Sequence, residues 1–183
     1  MPNLETFNHL IGISVLLTQV IALALFGLYF LRNEKNFMAF SAFMGRWGLW
    51  LAFFVSLFAT IMSLAYSDYF GLVPCSLCWF QRMLLFPQVI LFLMAAAKKD
   101  IYIADYSIVL SVIGAAISLY QHYIQMTGES PLPCPVSGGD CVKRFLFEFN
   151  YITIPLAAFS AFALLFVLML YVRARPRASR SFS

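Results

Sequence analysis

Four cysteines arranged as two close pairs are the residues of this sequence best able to do chemistry. Cys75 and Cys78 form a C-x-x-C motif, and Cys134 and Cys141 stand with six residues between them. Four cysteines allow three pairings, and the spacing favours Cys75 with Cys78 and Cys134 with Cys141. Two such pairs can exchange electrons as thiols and disulfides, cross-link the chain, or supply ligands to a metal ion.

The first pair stands where a helix is expected to begin, in V-P-C-S-L-C-W-F-Q-R from Val73 to Arg82. Pro74 suits a helix entry because its missing N–H costs nothing there. Thiols at a helix N-terminus lie near free N–H groups and the positive end of the helix dipole, which stabilises a thiolate. This placement favours redox chemistry, with a structural disulfide and half of a metal site as the alternatives.

The second pair lies in S-P-L-P-C-P-V-S-G-G-D-C-V-K-R, from Ser130 to Arg144. Its three prolines and two glycines exclude a continuous helix and favour an exposed loop. An exposed or strained disulfide is the kind that exchanges with an external thiol. A static cross-link is the alternative, although closing a short loop gains the least stability.

The composition identifies the setting of these cysteines as a membrane. Of the 183 residues, 62% are hydrophobic and only 11% are charged, against about 45–50% and about 25% in soluble domains. This balance excludes a cytosolic enzyme, a disordered chain and a nucleic-acid binder. The net charge of +4 does not indicate a nucleic-acid surface, because the basic residues lie between apolar runs.

The elements that must position the cysteines are five apolar stretches near the length that a bilayer requires. The third stretch, Met83–Ala97, is short, and its helix is expected to begin before Met83, around Cys75–Phe80. The first lacks the basic residues and cleavage site of a signal peptide, so we expect a retained helix. The sequence therefore predicts an all-α integral membrane protein. The predicted spans are Leu10–Leu31, Trp47–Tyr66, Met83–Ala97, Ser107–Tyr123 and Tyr151–Val172.

The distribution of Lys and Arg predicts the orientation of these spans. Nine of the 12 lie between the first and second spans, between the third and fourth, or after the fifth. Because cytoplasmic segments are enriched in Lys and Arg, the N-terminus is expected outside and the C-terminus in the cytoplasm. All four cysteines then face the extracytoplasmic side, where disulfides form and persist.

Arg82 and His122 are the candidate ligand-binding side chains near the first pair. Arg82 follows Cys78 by four residues, hence on the same helix face about one turn deeper. A charge just inside a span is costly and points to function, although it could instead extend to the lipid headgroups. His122 stands at the outer end of the fourth span, so it should lie at a similar depth.

Taken together, these motifs resemble the DsbB family of membrane disulfide-generating oxidoreductases, including its shorter Gram-positive-type relatives. The resemblance rests on P-C-S-L-C-W-F-Q-R, on Y-Q-H ending at His122, on S-G-G-D-C ending at Cys141, and on I-T-I-P at Ile152–Pro155. It covers roughly Gly45 to Val172. It implies a four-helix transmembrane bundle over 45–172, preceded by an extra N-terminal helix and cytoplasmic linker over 1–44 and followed by a basic cytoplasmic tail over 173–183.

The resemblance also implies an activity in the bacterial cytoplasmic (inner) membrane. A reduced DsbA-like thioredoxin-fold oxidase would attack the Cys134–Cys141 disulfide and form a mixed disulfide with Cys134. Electrons would then pass through Cys75, which exchanges with Cys134, to Cys78, nearest the quinone. Arg82 and His122 would hold the quinone, either ubiquinone or menaquinone from the membrane pool. No metal or nucleic acid is expected to take part.

Two features depart from the family pattern, and three alternatives stay open. The extra first helix has no assigned counterpart, and the spacing from Cys134 to Cys141 is much shorter than in enterobacterial members. The alternatives are an enzyme resembling vitamin K epoxide reductase, a non-enzymatic scaffold stapled by two disulfides, and a tetracysteine metal site. An oxidising exterior works against the metal site, since it needs four free thiolates.

Overall fold

The computed structural model describes residues 4–32, 34, 36–128 and 141–174. All five helices are long and apolar enough to cross a membrane, α2 together with a π-helical turn at Ala65–Tyr69 that extends it. The predicted all-α membrane fold is therefore confirmed. The helices are α1 (Leu4–Phe30), α2 (Met38–Leu64), α3 (Ser76–Lys98), α4 (Ile103–Thr127) and α5 (Ile154–Arg173).

The helix boundaries follow local signals that hydropathy alone does not contain. Helix α3 begins at Ser76, directly after Cys75, as expected for the short third stretch. Helix α5 begins at Ile154, three residues after the predicted start of its span. The reason is Thr153, which adopts an extended conformation and accepts a hydrogen bond from the N–H of Leu156. This is the geometry of an N-cap.

Helix α5 is the centre of the bundle. In its most apolar window 61% of the residues are buried, against 22% in that of α1. It packs against α4, α2 and α1. At Gly114 of α4 an added Cβ would lie 2.5 Å from the ring of Phe162 of α5. Glycine at this position therefore allows the two helices to approach closely.

Helix α1 runs parallel to α5 along the outside of the other four helices. Gln19 Nε2 donates to Ser160 Oγ at 3.1 Å, and Tyr171 OH donates to the carbonyl of Leu25 at 2.8 Å. Buried polar bonds between spans are one of the forces that hold membrane helices together. These contacts make α1 an integral part of the bundle.

The helix ends that carry the cysteines lie together at one end of the bundle, which we call the cysteine end. A separate apolar group, the outer cluster, lies there. It joins the first half of α1 to the π-helical turn after α2. It also includes residues from the segment that precedes α5 and from the first turn of α5. Its buried members are Ile11, Val15, Tyr66, Leu146, Ile152 and Leu156.

Candidate functional site

The first cysteine pair lies at the start of α3 as two free thiols in hydrogen-bond contact. Cys75 is the N-cap residue of α3 and is only 4% exposed, and Cys78 lies in the first turn and is half-buried. Their sulfur atoms are 3.2 Å apart, and neither cysteine is in a disulfide. A disulfide between them would require only a small movement of the two side chains.

The two thiols differ in their surroundings. The hydrogen bond with Cys78 raises the pKa of Cys75, and burial raises it further. Of the two thiols, Cys75 is therefore the one that loses its proton less readily. Cys78 lies inside the first helical turn, where free backbone N–H groups favour negative charge.

A pair of buried glutamines presents N–H donors to the sulfurs. Gln121 Nε2 lies 3.1 Å from the Cys75 sulfur and 3.3 Å from the Cys78 sulfur, and donates to both. Gln81 Nε2 donates to Gln121 Oε1 at 2.7 Å. This bond fixes the amide of Gln121 with its NH₂ group toward the cysteines.

Neither glutamine was predicted from the sequence as part of the site, although a signal was present. Gln81 and Gln121 are 7% and 1% exposed, inside helices that otherwise bury apolar side chains. Gln81 stands three residues after Cys78, on the same face of α3. Polar groups are costly inside a membrane span and mark functional sites or interhelical bonds. That cost could have identified the pair.

Arg82 is held at the end of α2. Its Nε donates to Ser63 Oγ at 2.9 Å, and its Nη2 donates to the Ser63 carbonyl at 2.7 Å. Its Cζ lies 5.5 Å from the centroid of the Trp79 ring, within the range of a cation–π contact. The two bonds to Ser63 use two of the five N–H donors of a guanidinium. Arg82 can therefore bind a further acceptor.

A cavity of about 380 Å³ joins Arg82 to the thiols and extends between the helices. Cys75, Cys78, Gln121 and Arg82 lie at its polar end. Its volume is within the range of small-molecule sites, which are mostly apolar with a few polar groups that fix orientation. The rest of the wall is largely apolar and includes Phe58, Leu85, Phe162 and Leu164.

His122 does not line this cavity. Its Nδ1 lies 2.8 Å from Oγ1 of Thr153, the residue that caps α5. The structure therefore brings Cys75, Cys78 and Arg82 around one cavity, and it places His122 at the contact between α4 and α5.

The second pair is described only through Cys141. Cys134 lies outside the described residues. Cys141 is disulfide-bonded and 1% exposed. It begins a segment over 141–153, which we call the arm, that leads to α5 and contributes Lys143, Phe145 and Leu146 to the cavity wall. The arm thus places the chain after Cys141 beside the cavity of the first pair.

Within the described ranges, no group of three or more His, Cys, Asp or Glu side chains is arranged to hold a metal ion. The polar end of the cavity instead combines two thiols with N–H donors. Such an arrangement suits thiol chemistry on a neutral or negatively charged acceptor.

Comparison with known proteins identifies the family. The family model described as "Disulfide bond formation protein DsbB" matches residues 45–172. The chain belongs to the DsbB family. The match spans most of α2, all of α3 and α4, and α5 to within one residue of its end. It leaves α1 outside.

Relatives of this DsbB-family protein carry names of the same kind. The SPbeta prophage-derived disulfide bond formation protein B of Bacillus subtilis is 39% identical over 116 residues, 63% of this chain and 78% of the relative. A probable disulfide formation protein C of Halalkalibacterium halodurans is 34% identical over 126 residues, 68% and 90% respectively. Disulfide bond formation protein C of Bacillus subtilis is 35% identical over 123 residues, 66% and 88%. No solved structure matches the chain significantly.

Proposed function

We propose that this DsbB-family protein is a membrane thiol:quinone oxidoreductase that reoxidises an extracytoplasmic DsbA-like oxidase and so supports protein disulfide formation. The observation that carries the proposal is the cavity of about 380 Å³ at whose polar end Cys75, Cys78, Gln121 and Arg82 meet. A disulfide that only cross-links helices needs no ligand-sized space beside it. A redox pair that passes electrons to a small molecule needs that space.

The residues of the cavity fit a membrane quinone, either ubiquinone or menaquinone. A quinone has a planar head with two carbonyl oxygens and a long apolar tail. Arg82 and Gln121 supply N–H donors for the head, and the apolar wall between the helices suits the tail. When bound, the quinone takes up the two electrons and two protons that are released as the Cys75 and Cys78 thiols become a disulfide.

The proposal extends to His122, which the family resemblance places at the quinone. Its ring is bonded to Thr153 at 2.8 Å. To reach the quinone, the ring would exchange this bond for one to a head-group oxygen. Arg82 needs no such exchange, because it already lines the cavity.

Two thiol exchanges would deliver electrons to Cys75 and Cys78. A thiolate of the reduced oxidase attacks Cys134, Cys141 leaves as a thiolate, and the second thiol of the oxidase then releases Cys134. The Cys134 thiolate attacks Cys75 of the Cys75–Cys78 disulfide, and Cys78 leaves. Attack by Cys141 on Cys134 then frees Cys75. Each exchange moves two electrons, so the oxidase and the Cys134–Cys141 pair both end as disulfides.

We further propose that the cysteine end faces the extracytoplasmic side of the bacterial inner membrane. Nine of the 12 Lys and Arg belong to segments at the opposite end or to the C-terminal tail. Helices α1, α3 and α5 begin at the cysteine end, which puts the start of α1 outside and the end of α5 in the cytoplasm. Thiol exchange with a secreted oxidase requires this orientation.

A coupled assay tests the proposed function. The protein in lipid nanodiscs, given a reduced thioredoxin-fold oxidase and a short-tailed ubiquinone or menaquinone, should reduce one quinone per disulfide formed. Quinone absorbance and the free thiols of the oxidase measure the two sides, with a Cys75→Ser variant as the control. Oxidation of the oxidase without loss of quinone would contradict the proposal.

A further inference from the structure

Helix α1, which lies outside the family match, forms part of the cavity wall. Ile11 and Val15 stand one turn apart on α1, are 8% and 5% exposed, and line the cavity. Ser14 and Thr18 line it too, but their hydroxyls donate to carbonyls of α1 itself at 2.9 and 2.8 Å. Because these hydroxyls are satisfied within the helix, this wall presents mainly apolar atoms to the cavity.

Asn8 of α1 connects two other parts of the wall. Its Nδ2 donates to the carbonyl of Phe145 in the arm at 3.2 Å, and its Oδ1 accepts from Tyr66 OH at 2.9 Å. With both ends of the amide engaged, its orientation is fixed. The arm is thereby tied to α1 and to the end of α2 through one half-buried side chain.

Helix α4 also holds the arm. Gln125 Nε2 donates to the carbonyl of Lys143 at 3.1 Å. Leu146, the residue after Phe145, is fully buried in the outer cluster against α1. Both α1 and α4 therefore hold the arm in its place in the cavity wall.

We propose that α1 completes the ligand cavity of this protein, forming one wall with Ile11 and Val15 and fixing the arm as a second wall through Asn8. Asn8 is then a positioning residue, and Val15 is a residue that sets how much space the ligand has. The identity of the ligand as a quinone rests on the proposed function. The role of α1 in closing the cavity does not depend on that function.

Ligand binding is the first test, with full-length protein in nanodiscs and a short-tailed ubiquinone as the probe. Binding is followed by quenching of tryptophan fluorescence. Val15→Phe, which fills the cavity, and Asn8→Ala, which frees the arm, should each raise the Kd about three- to tenfold, the range expected for one lost hydrogen bond or a comparable packing change. Leu23→Ala, at an α1 side chain 71% exposed, should leave the Kd unchanged.

Thiol labelling without quinone is the second test, and it is independent of any activity. After reduction with dithiothreitol, maleimide labelling at Cys75 is measured by peptide mass spectrometry. Asn8→Ala should label about three- to tenfold faster than the unmodified chain, because the arm no longer closes the cavity. Asn8→Asp should label as fast as Asn8→Ala, since it keeps the acceptor for Tyr66 and loses the donor to Phe145.

The outcomes separate the two proposals. Quinone binding that is equally tight in the unmodified chain, Val15→Phe and Asn8→Ala would overturn the role of α1 and leave the proposed function standing. Absence of quinone binding in the unmodified chain would overturn the proposed function. The role of α1 would then be decided by labelling, and equal labelling rates in Asn8→Ala and Leu23→Ala would overturn it.

Discussion

The two cysteine pairs are held by different kinds of structure. Cys75 is the N-cap residue of a 23-residue helix, and its sulfur accepts a hydrogen bond from Gln121 at 3.1 Å. Cys141 is just as deeply buried, yet it begins an arm without helix whose place depends on bonds from Asn8 and Gln125 to backbone carbonyls. The first pair is thus fixed beside the cavity of about 380 Å³. The second pair belongs to a segment that is positioned by side chains from other helices.

This difference suits two different tasks. Electron transfer to a small molecule benefits from sulfurs held in one geometry, since pre-organised groups need no rearrangement during reaction. Exchange with another protein requires that one sulfur of a pair can be reached and released. If the two pairs divide the reaction in this way, substitutions at each pair should have different consequences.

Removing one sulfur from each pair should have the largest effect, and the two losses should differ. Cys134→Ser is expected to abolish oxidation of the thioredoxin-fold oxidase while quinone reduction driven by dithiothreitol continues. Cys78→Ser is expected to abolish both, leaving at most one stoichiometric exchange at Cys134–Cys141. Both activities are measured by quinone absorbance. A variant that keeps normal turnover would show that its pair is structural.

Arg82 should have the next largest effect. A charge-assisted hydrogen bond to a quinone oxygen is worth about 1.5–3 kcal/mol, so Arg82→Ala should raise the quinone KM about ten- to a hundredfold. Arg82→Lys should recover only part, because an ammonium lacks the planar fork that also binds Ser63.

The comparison with lysine distinguishes binding from membrane anchoring. If Arg82 only extends to the lipid headgroups, Arg82→Lys should keep almost full activity. Arg82→Ala should then impair membrane insertion and leave the quinone KM unchanged. Equal insertion of the three proteins is checked first by their yield in the membrane. An unchanged KM in Arg82→Ala would locate the quinone elsewhere.

Gln121 should affect catalysis by about tenfold. Gln121→Leu removes the N–H donor to both sulfurs. A hydrogen bond to a charged group such as a thiolate is worth about 1.5–3 kcal/mol. We expect a lower kcat with dithiothreitol as the reductant. Gln81→Leu is the matched control. It keeps the Gln121 donor but removes the bond that fixes the orientation of its amide, so it should lower kcat less than Gln121→Leu does. Equal rates in all three proteins would exclude a role for the amides.

His122 should have the smallest effect on quinone. To reach a quinone oxygen, its ring must first give up the bond to Thr153. The net gain in binding is therefore small, and His122→Ala should change the KM by about threefold or less. Loss of its bond to Thr153 should lower the stability by about 1 kcal/mol, measured as a lower Tm in detergent. A rise in the KM as large as that of Arg82→Ala would contradict this ranking and show that the ring binds the quinone as strongly as Arg82 does.

The sequence was sufficient for the helices and the first pair, because these depend on local patterns. Apolar length predicted five spans, and Pro74 with the C-x-x-C predicted a helix starting at the cysteines, as α3 does at Ser76. The helix starts were predicted less well. Helix α2 begins at Met38, nine residues before its predicted span, and α5 begins three residues late because hydropathy does not detect the cap at Thr153.

The side-chain network could not be predicted, because it depends on how each helix is rotated about its axis. Gln121 and His122 are adjacent and lie at the same depth, but adjacent residues point about 100° apart on a helix. Only the packing of α4 against α3 and α5 determines that Gln121 faces the sulfurs while His122 faces Thr153. The position of the arm depends likewise on contacts between residues far apart in the chain, such as Asn8 and Phe145.

The transfer of electrons from the first pair to quinone is tested most directly in a single turnover. A Cys134→Ser/Cys141→Ser variant, with Cys75 and Cys78 reduced and excess reductant removed, is mixed without oxygen with one equivalent of short-tailed quinone. Quinone absorbance and the mass of the peptide containing both cysteines are then recorded. One quinone should be reduced for each Cys75–Cys78 disulfide formed. Thiols that remain reduced beside unreacted quinone would contradict it.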